Sequence, residues 1–245
     1  MGIEDTPILK GIDLRIPKGE IHAIMGRNGS GKTTTANVIM GHPAYDVEEG
    51  EILLDGENLQ EMEPWERSRK GVFLSFQYPQ SIPGLQVGNF LRKSVSSVRG
   101  EEAARGSDFR EKLNHAMEEL DIPKSFLSRY VNDGFSGGEK KRFEILQLML
   151  LEPRLAVLDE TDSGLDIDGI RTVAKGINSV VKETENGALI ITHYSRILEH
   201  VNPDRVHVMI GGRIVASGGP SLAILLEENG YDWLEEQVAN GVDFE

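Results

Sequence analysis

The 245-residue sequence predicts an α/β fold: a phosphate-loop core with antiparallel strands along one side and an inserted helical subdomain. Three observations predict it. Gly26-Arg27-Asn28-Gly29-Ser30-Gly31-Lys32-Thr33 matches G-x-x-x-x-G-K-[ST], between an apolar run (residues 21–25) and a helical stretch (residues 34–40), the strand–loop–helix setting that such a loop requires. Further apolar runs end in polar groups, at Gln77, at Asp159-Glu160 and at His193. Between them β-branched runs vanish, and Phe109, Leu113, Met117 and Leu120 recur at helical spacing. The chain therefore divides as one domain, 1–245, with an α/β core over 1–84 and 133–245 and a helical insert over 85–132.

Composition narrows the function. A net charge of -14 excludes non-specific nucleic-acid binding, which needs clustered Lys and Arg, and opposes docking on anionic lipid. No apolar run approaches a membrane span, so no direct membrane insertion is expected. The absence of cysteine excludes disulfides, thiolate catalysis and thiolate metal ligation. With no secretory signal read in the sequence, a cytoplasmic location is the expectation.

Taken in order, residues 8–16 alternate apolar and polar through Ile8, Ile12, Leu14 and Ile16, which predicts an antiparallel hairpin edge leading into the loop's strand. Gly41-His42-Pro43 ends the helix after the loop. Residues 51–59 form another hairpin, turned at Asp55-Gly56. Pro64, favoured at a first helical position, opens a short helix, and residues 72–77 are a buried strand closed by Gln77. Past the insert, whose helices are joined over residues 98–107, a helix covers 137–151 and an apolar strand reaches Asp159. A helix over 166–184 and a strand over 188–192 follow. A hairpin over 205–217 turns at Gly211-Gly212. The final acidic helix, 221–239, has Leu222, Leu225, Leu226, Trp233 and Leu234 as its buried face.

The chemistry follows from these positions. Glycines let the loop curl its N–H groups inward as an anion nest, and the following helix adds the positive end of its dipole. Residues Gly26, Arg27, Asn28, Gly29, Ser30, Gly31, Lys32, Thr33 and Thr34 are thus the candidate phosphate contacts. Lys32 supplies a charge for the β- and γ-phosphates, and the Thr33 hydroxyl suits Mg²⁺. Asp159 is placed to hold the same ion, and Glu160 to polarise a water attacking the γ-phosphate. Gln77 can touch both metal and water, while His193 can hydrogen-bond the γ-phosphate. Singly, a strand-end carboxylate is usually a cap and a lone His a satisfied residue. Four such groups behind a phosphate loop point to chemistry. A further stretch, Phe135-Ser136-Gly137-Gly138-Glu139-Lys140-Lys141-Arg142, sets an N-cap and two glycines before a basic turn. Basic residues there oppose the helix dipole, which favours an anion at that end.

These segments resemble the ATP-binding cassette (ABC) ATPases, in family order and over almost the whole chain: the phosphate loop, Gln77, Ser136-Gly137-Gly138, Leu158-Asp159-Glu160, Ser163-Gly164-Leu165-Asp166 and His193. Narrower stretches resemble the SufC-type branch, the ATPases of the SUF iron–sulphur cluster assembly system. They are Phe76-Gln77-Tyr78-Pro79, the Gly134-to-Arg142 signature, the segment from Asp159 to Asp168, and Thr192-His193-Tyr194. Asp162 stands where transporter ATPases usually carry Pro, and Glu139 where they carry Gln. The resemblance implies ATP and Mg²⁺ as cofactors. It implies Glu160, His193 and Gln77 as catalytic residues and Thr33, Gln77 and Asp159 as metal contacts. It also implies Ser136, Gly137, Gly138 and Asp166 as contacts to nucleotide in a pair of chains closed by ATP. Partners would be a second copy of the chain and SufB- and SufD-like scaffold proteins, docked where residues 77–84 join core to insert. The alternative is the nucleotide-binding subunit of an ABC membrane transporter. One departure stands out: the family's adenine-stacking aromatic lies near the chain start, and no aromatic precedes Gly26.

Overall fold

The computed structural model describes residues 7–77, 79–242 and 244. Its centre is a six-stranded sheet built from β1 (Ile21–Met25), β4 (Val72–Ser75), β7 (Leu155–Asp159), β8 (Gly187–Thr192), β9 (Arg205–Ile210) and β10 (Arg213–Gly218). Spatial order is β10-β9-β1-β8-β7-β4, and only β10 runs antiparallel, against β9. β1 and β8 are buried along their whole length, which is why both are unbroken apolar runs apart from His22 and Thr192.

Helices cover both faces. α1 (Lys32–Met40) and α2 (Pro64–Lys70) contact the sheet on one side, where Ile24, Ala36, Leu74, Val157, Leu189, Ile191 and Met209 form one core. The larger core, on the other side, joins Met25, Phe73, Leu158 and Ile190 to α3 (Val87–Arg99), α4 (Gly106–Glu119), α5 (Gly137–Leu151), α6 (Ile167–Thr184), α7 (Leu198–Val201) and α8 (Ser221–Ala239). Two small pairs complete the chain: β2 (Leu53–Leu54) with β3 (Glu57–Asn58), and β5 (Ile82–Gln86) with β6 (Tyr130–Val131). A short 3₁₀ turn, Lys124–Ser128, precedes β6.

Local signals account for most boundaries. Asp55 and Gly56 both take positive φ, 52° and 82°, as the tight turn between β2 and β3 requires. Glu63 and Glu66 close a capping box around Pro64, and Gly41 ends α1 in the left-handed region.

Three expectations change. Residues 8–16 form no strand: Gly11, at φ 91°, interrupts them, and Lys10 N–H bonds Gly212 O. Their alternation instead serves packing, since Ile12, Leu14 and Ile16 lie on the α1-side core. Residues 82–86, which read as connection, are a strand despite Pro83 and Gly84, because β6 supplies a partner from beyond the helices. α8 breaks at Gly230, and Leu225 stands 37% exposed rather than on its buried face. Tyr78 lies outside the described residues.

Candidate nucleotide site

The phosphate loop leaves the carboxyl end of β1, and β8, β7 and β4 follow it across the sheet. His193 stands just past β8, Asp159 and Glu160 at the end of β7, and Gln77 just past β4. Candidate groups thus line one edge of four adjacent strands, the edge where parallel sheets bind ligands.

Sequence dictates the loop's shape. A Cβ at Gly26 would sit 2.4 Å from the Met209 carbonyl oxygen, so only glycine fits there. Gly31 caps α1 at φ 108°, and no side chain or acidic residue occupies that helix start, which leaves its N–H groups for an anion. Lys32 is buried and donates to Gly26 O at 2.7 Å and Arg27 O at 3.1 Å. Burial pulls its pKa below the usual lysine range, against the opposing charges of Glu160 and Asp159.

Beyond the loop the candidates meet one another. Burial raises the Asp159 pKa, while a hydrogen bond from the Thr33 hydroxyl acts the other way. Glu160 accepts from Gln77 Nε2 at 2.5 Å and lies 3.4 Å from His193 Nδ1. Its backbone sits at φ 50°, a strained conformation for a residue with a Cβ. Ser30 Oγ, Asp159 Oδ1 and His193 Nδ1 are buried without a hydrogen-bond partner, and buried polar atoms rarely stay so. Asp162, buried too, accepts from Thr192 Oγ1 at 3.1 Å, and that hydroxyl accepts from Tyr194 N–H, so both neighbours of His193 are anchored.

The remaining candidates stand apart. Ser136 caps α5 in a box with Glu139, whose carboxylate Arg129 grips; Ser136 and Gly137 are exposed, and α5 packs on α3, α4 and α6. The basic turn does not call for an anion as the sequence suggested. Glu139 supplies the acidic group at that end, and Lys141 turns inward to Glu144. Asp166 caps α6 by accepting from Gly169 N–H at 2.8 Å. Thr34 is half-buried on α1, and Asn28 and Gly29 are exposed at the loop's crest.

Two residues that sequence reasoning missed join the site. Asp232 pairs with Arg27 at 2.7 Å, and the Tyr231 ring lies 5.5 Å beneath the Arg27 guanidinium. They come from the second half of α8, some two hundred positions away, and no local pattern announces them.

A phosphate loop on a central parallel strand, with acid, amide and imidazole at neighbouring strand ends, defines a nucleoside-triphosphatase of the cassette type. The chain belongs to the ATP-binding cassette (ABC) family of ATPases: the profile described as ABC transporter matches residues 9–163. The probable ATP-dependent transporter ycf16 of Cyanophora paradoxa is 53% identical over 237 residues, covering 96% of this chain and 91% of the relative. Vegetative protein 296 of Bacillus subtilis is 50% identical over 238 residues, covering 96% and 90%. Among solved structures, an ATP-binding subunit of an ABC transporter superposes with a TM-score of 0.79 at 25% identity, covering 97% and 95%. A dimeric post-hydrolysis cassette bound to ADP and Pi shares the fold, with a TM-score of 0.76 at 22% identity over 90% and 94%. The chain is accordingly an ATP-binding ATPase. Among the described residues no helix is long and apolar enough to cross a membrane.

Proposed function

We propose that this chain is a SufC-type ATPase, a cytoplasmic motor that couples ATP hydrolysis to conformational change in a SufB/SufD-like scaffold assembling iron–sulphur clusters. The observation that carries the ATPase chemistry is the Glu160 carboxylate, held by Gln77 and facing His193 beside the Asp159–Thr33 pair. In this reading residues 26–34 cradle the phosphates and Lys32 neutralises their charge. Glu160 holds and polarises the attacking water, and His193 contacts the γ-phosphate. The unpartnered Asp159 Oδ1, the Thr33 hydroxyl and the Gln77 amide are a hard-oxygen donor set that fits Mg²⁺, which would supply charge for the transferred phosphoryl group. Ser136, Gly137, Gly138 and Asp166 act across a dimer; within the chain α5 packs chiefly on α3, α4 and α6, whereas α1 meets β4, β7 and α2.

Support for the assembly role is the buried Asp162, bonded to Thr192 where transporter ATPases of the resemblance carry Pro. Phe76, Ile82 and Tyr130 are 56%, 41% and 45% exposed around the junction of core and insert, an apolar surface suited to a partner's helix. The printed name of the Cyanophora paradoxa relative, a probable ATP-dependent transporter, speaks instead for a transporter. A pull-down from detergent-treated extract separates the two: soluble scaffold partners support assembly, and membrane-spanning partners overturn it.

Two substitutions test the site. Glu160→Gln should retain ATP binding and lose hydrolysis by about a hundredfold or more. Lys32→Ala should instead weaken binding of a fluorescent ATP analogue. Unchanged turnover in the first, or unchanged affinity in the second, sinks the assignment.

A further inference from the structure

Glu144 and Lys141 lie one turn apart on α5, and both are almost wholly buried, their side chains 5% and 6% exposed. They pair at 3.2 Å. A buried ion pair in a helix interior is poor evidence of stability, because desolvation offsets most of the attraction. The pair here has a specific object. Glu144 Oε1 accepts from Phe76 N–H at 2.9 Å, and Lys141 Nζ donates to Phe76 O at 3.1 Å. One acid and one base therefore hold the two ends of a single residue's backbone.

That residue lies just beyond the last rung of the β4–β7 ladder, Ser75 opposite Leu158. Its ring is 56% exposed and contributes little to anchoring it. The next residue is Gln77, whose amide reaches Glu160 at 2.5 Å. Burial pushes the Glu144 carboxyl upward, with Lys141 opposing it.

We propose that Lys141 and Glu144 are positioning residues for hydrolysis: by clamping the Phe76 backbone they fix Gln77 against Glu160, and they make the placement of that contact a function of where α5 lies. The inference rests on the roles given above to Gln77 and Glu160. Its consequence is that the helix beginning at Ser136 and the water-activating group are mechanically joined within one chain. A shift of α5, whether driven by nucleotide or by a second copy meeting Ser136, is passed to Glu160 through the backbone of one residue.

The test removes both charges together, so that neither ion is left buried alone. Lys141→Met combined with Glu144→Leu should lower kcat about tenfold or more, by the misplacement of a reacting group. The dissociation constant for ATP should stay within roughly twofold, because the phosphate loop is untouched. With Glu144→Gln in place of Glu144→Leu, an acceptor for Phe76 N–H returns and most of kcat should return with it. In a Gln77→Ala background the Met/Leu substitutions should cause little further loss; losses that multiply independently would overturn the proposal. A lowered unfolding midpoint with unchanged kcat well below it would also overturn it, leaving the pair merely structural. Hydrogen exchange on the unmodified protein gives a check free of folding defects. The Phe76 amide should be protected despite its exposed ring, and fast exchange would remove the clamp. Glu160→Gln is the control: if turnover survives it, site and clamp fall together, whereas lost turnover there with an indifferent clamp condemns the clamp alone.

Discussion

Burial holds the His207 imidazole at a pKa of about 4, with His22 and Arg205 adding to the effect. It sits in a chain of short contacts: Glu20 Oε2 to His22 Nε2 at 2.8 Å, His22 Nδ1 to His207 Nε2 at 3.0 Å, and His207 Nδ1 to Ser217 Oγ at 2.7 Å. Neither neighbour of the His207 ring is a carboxylate: Ser217 stands at Nδ1 and His22 at Nε2, so a positive charge there finds no compensating anion in this chain of contacts. The folded pKa lies below the ordinary 6.5, so this group's contribution is fully present above pH 6.5 and is lost as pH falls from there toward 4. Between pH 7 and pH 5 the loss should be about 2 kcal/mol. Urea denaturation at the two pH values, compared with His207→Gln, reads it directly. The variant should lose that much less stability on acidification, and equal slopes would exclude the histidine as the source.

At the scale of elements, the phosphate loop is only as fixed as the helix behind it. α1 is short, nine residues, and its last carbonyls are held from α2. The buried Arg67 guanidinium donates to Val38 O at 2.8 Å and Ile39 O at 2.9 Å, and also to Gln60 O and Met62 O. Arg67→Ala would take a donor from four carbonyls, of which Val38 O keeps Gly41 N–H, and should destabilise the protein by about 3 kcal/mol or more. Arg67→Lys should recover little of this, because one ammonium cannot reproduce a planar fork. Denaturant midpoints of the two variants decide it. None of this was legible in advance: an Arg in a short polar helix carries no mark of burial. What could be read was local. Asp55-Gly56, Pro64, Gly41 and the phosphate loop each dictate backbone shape through their own chemistry, and the strand ends at Gln77, Asp159 and His193 followed from where apolar runs stop. What could not be read depends on distant partners. β5 exists because β6 pairs with it, Leu225 faces water because Gly230 breaks its helix, and Arg27 is held by Asp232 from the far end of the chain.

For the whole molecule, the proposed site calls on two regions of the chain. Lys32, Thr33, Gln77, Asp159, Glu160 and His193 cluster, while Ser136 and Gly137 stand exposed at the start of α5. Mixing a Lys32→Ala chain with a Ser136→Arg chain, each inactive alone, should therefore restore ATPase activity. One site of the mixed dimer then carries both lesions and the other neither. Mixed dimers that form and remain inactive would rule out a composite site.

The small pairing of β5 with β6 has one more consequence, and it concerns change rather than catalysis. The chain departs toward its helices along residues 82–86 and comes back at residues 130–131, with Ile82 beside Val131. An excursion whose two feet stand side by side can be lengthened at its exposed turns, or exchanged for one that keeps the side chains α3 and α4 bury against α5, without moving any strand of the central sheet, because the cost of closing its ends rises only slowly with length. Selection can thus rework the exposed helical surface, near which the proposed partner would dock, while leaving the hydrolytic edge as it is. If the partner docks as proposed, the segment to graft between such ATPases is residues 82–131, so that Ile82 and Tyr130 travel with it.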